Sequence, residues 1–201
     1  MLYQVIQILY WLVLSIWFGG VVFVVLAAPA VFRAVGQREL RLPDITAAAL
    51  RGEHQTLVAG DVVAGLLQRL GQIQLLCLGA MLPLLLATTF FMTSSLQWLT
   101  LGEKALLYAL SAGVVLYDRW KRFPITLRAR QRYIEHADEP EVADLAKAEF
   151  EASHRASERA YHLIVFLLLL LVLVSANPEP RHSWTDQDRG QSPTPAASPA
   201  K

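Results

Sequence analysis

The chain has 201 residues, 54% of them hydrophobic and 17% charged, with a formal net charge of +1 and a mean hydropathy of +0.37. No dense basic patch is interleaved with aromatic residues, which excludes an ordinary nucleic-acid-binding surface, and the lone cysteine, Cys77, excludes an internal disulfide and reads as a small core hydrophobe. The charges are segregated: none falls between Leu2 and Phe32, and none between Leu70 and Gly102. Because roughly 20 apolar residues suffice to cross the hydrocarbon core of a bilayer, an integral membrane protein is expected.

The first helix is predicted from about Tyr3 to Phe32, with Tyr3, Tyr10 and Trp11 at its outer interface. A cleaved signal peptide is not expected, because no Lys or Arg precedes the apolar run and that run exceeds an ordinary signal core. Pro29 removes the hydrogen bond to the Val25 carbonyl, so a local kink is expected there, and Arg33 closes the span. Residues 34–56 read as a polar connection, with Asp44 after Leu42-Pro43 as a helix start. From Leu57 to Leu70 the pattern turns amphipathic, placing Val58, Val62, Leu66 and Leu70 on one face with Asp61 off it. This segment either lies at the interface or runs on into the second span, about Gly71–Thr93. There Pro83 implies a bend and a neighbour that re-satisfies the Gly79 carbonyl.

A turn over Thr93–Gly102 leads to the third span, about Leu99–Tyr117. Ala105, Ala109 and Gly113 form a stripe of small residues on it, suited to close helix contact. Pro124 is expected to break the outgoing helix, because Phe123 before it is pushed from the helical region. Asp138 and Glu141 have capping-box spacing, and a helix starting there runs through Glu149, His154 and Glu158 into the fourth span, Tyr161–Ala176. Residues 177–201, with Pro178, Pro180, Pro193, Pro195 and Pro199, read as a disordered Pro/Ser-rich tail.

These elements define an all-α integral membrane bundle of four transmembrane helices over residues 1–176, with spans at about 5–32, 70–93, 99–117 and 161–176 and a cytoplasmic helical extension. Cations concentrate in the first connection (Arg33, Arg38, Arg41, Arg51, Arg69) and the third (Arg119 to Arg159), while the second offers only Lys104. The positive-inside rule then places both termini on the non-cytoplasmic side of a multi-pass cell-membrane protein.

The spans hold almost no ionisable side chain, which lowers the case for a proton- or ion-coupled carrier. No cofactor is implied, and a bis-histidine haem lacks ligands within one chain. The sharpest polar constellation is His154, Glu158 and His162, spaced to lie along one side of a helix, with Ser157 and Tyr161 flanking it. Asp118, Arg119 and His54 are placed to approach from other helix ends. Such a cluster suits a metal or anionic ligand. It equally suits polar pairing that anchors a membrane boundary, and that plainer reading is favoured because His and Glu at helical spacing are common. The second motif is Trp17-Phe18-Gly19-Gly20, with Pro29 beyond it. Its glycines imply either close helix packing, the favoured reading, or a groove for an apolar ligand. Ser15, Ser111, Thr88 and Thr89 are expected to bond back to helix carbonyls. No nucleophile elbow, phosphate loop or cysteine-pair metal motif occurs.

Trp17-Phe18-Gly19-Gly20 followed by Ala28-Pro29-Ala30-Val31-Phe32-Arg33 resembles the signature of the uncharacterised membrane-domain family typified by transmembrane protein 205. Ala59-Gly60 with Leu66-Leu67-Gln68-Arg69-Leu70, Phe123-Pro124-Ile125 with Leu127-Arg128-Ala129-Arg130, and Phe150 with His154-Arg155-Ala156-Ser157 resemble its further motifs. The resemblance covers about residues 5–175. It departs at Tyr161, where the family often has asparagine. The resemblance implies a four-helix membrane domain and supplies no reaction. The expected function is therefore a non-enzymatic multi-pass domain that packs against helices or binds a small ligand or partner. Its expected partners are membrane lipid and either a second copy or another membrane protein. The alternatives are transport of a metal or small solute, with Gln68, Gln72 and Thr88 lining an oligomer, and a membrane enzyme using the His/Glu cluster.

Overall fold

A computed structural model describes residues 1–36, 54–91, 95–136 and 139–176. Five α-helices occur in this order: α1 (Leu2–Gly36), α2 (His54–Thr89), α3 (Ser95–Tyr117), α4 (Phe123–Glu135) and α5 (Pro140–Ala176). A π-helical turn, Asp118–Arg122, joins α3 to α4. The described residues contain no strand, and four helices are long and apolar enough to cross a membrane. Helices are the economical solution in lipid, because each satisfies its own backbone hydrogen bonds.

α1, α2, the continuous α3–α4 rod and α5 alternate in direction, and contacts fix both ends of the bundle. At one end the Tyr10 and Ser175 hydroxyls lie 2.6 Å apart, and the Tyr3 and Phe91 rings are 5.4 Å apart. The first and last described helices thus begin and finish on the same side. At the other end Asp61 of α2 pairs with Arg130 of α4 at 2.7 Å. α1 packs chiefly on α2, and α5 on α3 and α4. The core between them holds Leu14, Trp17 and Val21 of α1, Met81 of α2, Ser111 of α3, and Ile164, Leu168 and Leu171 of α5, all fully buried.

The 36 residues of α2 reach about 54 Å at 1.5 Å per residue. A hydrocarbon core is only about 30 Å thick. α2, α5 and the continuous α3–α4 rod therefore overrun the layer they cross, and the excess collects at the α4 end as the helical extension expected from sequence.

Several expectations shift. The 57–70 segment is one continuous helix with the second span, but its inward face is Ala59, Val63 and Leu70, while Val62 is exposed. The helix that carries the third span starts at Ser95, so most of the expected Thr93–Gly102 turn is helical. Tyr10 is a core residue rather than a belt residue. Beside Pro83 the interhelical bond runs from the Tyr108 hydroxyl to the Leu78 carbonyl at 2.9 Å, one residue before the expected Gly79. Ala105, Ala109 and Gly113 are all exposed, so the small-residue stripe is not buried against another described helix. Thr88, Thr89 and Ser111 bond back to Leu85, Leu86 and Leu107 as expected; Ser15 makes no such bond. α5 starts with Glu139 in the cap position, its carbonyl bonded by the Ala143 amide. Asp44 and Asp138, the His54 side chain, the 37–53 connection and the tail lie outside the described residues.

The Trp-Phe-Gly-Gly motif divides between two environments. A Cβ on Gly20 would meet Leu70 Cδ1 at 3.3 Å, whereas one on Gly19 meets nothing within 4 Å. Gly20→Leu is therefore expected to lower the thermal midpoint of detergent-solubilised protein, overpacking the α1–α2 seam by about 1–3 kcal/mol. Gly19→Leu should be neutral or stabilising, and equal midpoints for the two variants would contradict this packing.

Candidate functional site

The site begins with the π turn. The Phe123 amide reaches back five residues to the Asp118 carbonyl, which widens the helix by one residue. Pro124 follows in the first turn of α4, where its missing N–H costs little. The helix passes through the proline instead of breaking at it, contrary to the sequence expectation. π turns of this kind recur at functional sites. This one leaves Asp118 facing into the bundle.

Asp118 is 6% exposed. It accepts a hydrogen bond from Ser157 Oγ of α5 at 3.1 Å, the charges of Arg122 and Arg119 lie close enough to act on it, and the neutral Tyr161 phenol lies within reach of its field. Arg119 stacks over the Phe123 ring at 5.1 Å and lies flat on α2 at Gly71, where an added Cβ would sit 3.3 Å from its Nη1. Glycine there lets the guanidinium lie close to the backbone, and a larger residue would push Arg119 aside by a few tenths of an ångström.

Next to Asp118 lies a cavity of about 420 Å³ between α2, α4 and α5. Gly60, Val63, Ala64 and Leu67 of α2 form one wall, and Phe32 of α1 closes its edge. Thr126, Leu127, Arg130 and Tyr133 of α4 form a second, joined by Phe123 and Asp118. α5 supplies Lys147, Phe150, Glu151, His154, Ser157 and Tyr161, whose steps of three and four residues make one helical face. Arg130 is largely buried while its partner Asp61 is 73% exposed, so the ion pair is screened and serves mainly to position the guanidinium. The Thr126 and Ser153 hydroxyls bond across the α4–α5 seam.

The predicted His/Glu row is split. His154 lines the cavity, stacked on Phe150 at 5.7 Å, and its Nε2 lies 3.3 Å from Glu158 Oε1. Glu158 itself is exposed, and His162 faces outward. Eight residues advance a helix roughly 80° past two full turns, so the outer members of an i, i+8 set cannot share a narrow face. Ser157, which flanks that row, reaches the site with His154 and bonds Asp118 directly. Among the described residues no group of three His, Cys, Asp or Glu side chains converges to hold a metal. Trp17 is fully buried in the core, edge-on to Tyr108, and Pro29 is exposed, so the Trp-Phe-Gly-Gly motif stands apart from the cavity. Sequence reasoning placed Asp118 and Arg119 near the site but missed Arg130, Tyr133 and Lys147. The α5 face from Lys147 to Tyr161 was readable as a three-four repeat.

No protein-family model matches the chain, and no curated protein or solved structure matches it.

The Ser157–Asp118 bond joins α5 to the π turn at a buried carboxylate, and hydrogen bonds to charged groups contribute about 1.5–3 kcal/mol. Ser157→Ala is expected to lower the thermal midpoint in detergent, with Asp118→Asn milder because the amide oxygen still accepts from the hydroxyl. An unchanged midpoint for Ser157→Ala would remove this bond from the account.

Proposed function

We propose that the chain is a non-enzymatic multi-pass membrane domain that binds a small amphipathic ligand in the cavity at its α4 end. The observation that carries this reading is the cavity's construction. Its volume of about 420 Å³ falls within the roughly 300–1,000 Å³ typical of small-molecule sites. Its walls are mostly aliphatic and aromatic, and its polar groups gather around Asp118, Ser157, His154 and Arg130. A ligand with an apolar body and a hydrogen-bonding end fits that division. The basic α4 end is read as cytoplasmic, with both termini outside, in keeping with the positive-inside rule.

We also read the chain as a relative of the transmembrane protein 205 family. Each stretch behind that resemblance, apart from Trp17 to Gly20, places a residue on the cavity wall: Phe32, Gly60, Leu67, Phe123, Leu127, Arg130, Phe150, His154 and Ser157. Tyr161, where the family often has asparagine, lies on the same wall, so the ligand's polar end would be read differently here.

Transport is the second reading. It is less favoured because the fully buried layer of Leu14, Trp17, Met81 and Leu168 seals the bundle between the cavity and the far end. Of the residues expected to line an oligomeric path, Gln68 and Gln72 are exposed while Thr88 is buried. The enzyme reading loses its third member with the outward turn of His162.

The test is native mass spectrometry of the full chain extracted from its membrane, followed by identification of small molecules released from it. The expected result is a co-purified amphiphile, with occupancy reduced at least about tenfold in Ala64→Trp, which fills the cavity. Occupancy unaffected by Ala64→Trp would sink the proposal, and solute flux in proteoliposomes would promote the transport reading over it.

A further inference from the structure

A second hollow lies on the outside of the bundle, between α3 and α5, and shares no residue with the cavity above. We infer that this groove holds an anionic phospholipid, its phosphate between Arg122 and Arg159 and an acyl chain along Gly113, Ala160 and Leu163.

The groove has a volume of about 420 Å³ and no acidic residue in its lining. Arg159 is the last cation before the uncharged run to Ala176, and Arg122 lies just past the uncharged run from Ala105 to Tyr117. Both guanidinium groups therefore sit where the apolar surface of the bundle ends, the depth of lipid headgroups. Basic pockets between helices at this depth bind anionic headgroups.

The arginines are also available for the task. Arg159 has no ion-pair or hydrogen-bond partner among the described residues. Arg122 stacks over the Tyr117 ring at 5.6 Å, which occupies its flat face and leaves its in-plane N–H donors for a phosphate, the geometry in which arginine binds phosphate through two parallel bonds. Asp118 acts on Arg122 electrostatically but does not line the groove. Below the arginines the floor is open: a Cβ on Gly113 meets nothing within 4 Å. A zwitterionic lipid would bring its own ammonium beside the phosphate, into the field of two arginines with no acid in the groove to balance it; an anionic lipid brings the phosphate without that cation.

The experiment compares retention of phosphatidylglycerol and phosphatidylcholine by the delipidated full chain in native mass spectrometry. One phosphatidylglycerol per chain is expected to survive, with phosphatidylcholine lost. Arg122→Gln with Arg159→Gln should weaken retention by more than about tenfold, at about fivefold for each arginine. Gly113→Leu keeps both arginines and favours the helix, and it should also lower retention by obstructing the chain groove. Arg128→Gln, at an exposed arginine away from the groove, should leave retention unchanged. Equal retention of the two lipids, retention unaltered in the double variant or in Gly113→Leu, or an equal loss in Arg128→Gln would each overturn the assignment.

Discussion

The Ser157 hydroxyl bonded to the buried Asp118 carboxylate sets the level at which the bundle changes character. On one side of that bond the helices meet chiefly through uncharged side chains, aliphatic ones with Trp17, Tyr10 and Tyr108 among them. On the other, α2, α4 and α5 meet through hydroxyls, ion pairs and aromatic rings. Burying a carboxylate is costly unless it is hydrogen-bonded and accompanied by opposite charge. Here one partner comes from α5, and the accompanying cations come from the π turn itself. The turn has two effects: it rotates Asp118 inward and delivers Pro124 to a position where α4 can begin. The cavity walls follow from that rotation, because α4 is then laid against α5 and the start of α2.

Two hollows among the described residues have contrasting character. The inner one, beside Asp118, contains charges of both signs and aromatic walls, and is enclosed by three helices. The outer one presents only cations and small or apolar residues. The π turn contributes to both, with Asp118 facing inward and Arg122 outward. A ligand in either hollow would therefore feel the state of the same five-residue segment.

The spans were legible because charge is so costly in hydrocarbon that its absence over Leu2–Phe32 and Leu70–Gly102 marks them directly. The long α5 was legible because nothing between Pro140 and Ala176 interrupts a helix. Facing was harder to read. In a water-soluble helix the apolar stripe points inward. In lipid the outer surface is as apolar as the core, so periodicity does not tell Val62, which is exposed, from Val63, which is buried. Pro124 was misread because the residue before a proline is only disfavoured in the helical region, and Phe123 occupies it all the same, with Pro124 in the first turn of α4 where its missing N–H costs little. The site was half visible: Ser157, His154, Asp118 and Arg119 stood out by residue type, while the buried Arg130 looked like any other arginine in a basic segment.

The hydroxyl contact between Tyr10 and Ser175 links positions near opposite ends of the chain. During synthesis the amino-terminal hairpin of α1 and α2 is made first. Its mutual packing is extensive, but the side of α1 that meets α5 stays uncovered until α5 is made. Assembly therefore has a waiting period in which a nearly complete bundle exposes an unfilled seam within the bilayer. A membrane chaperone or insertion machine that shields this seam would have its greatest effect between the insertion of α3 and the arrival of α5.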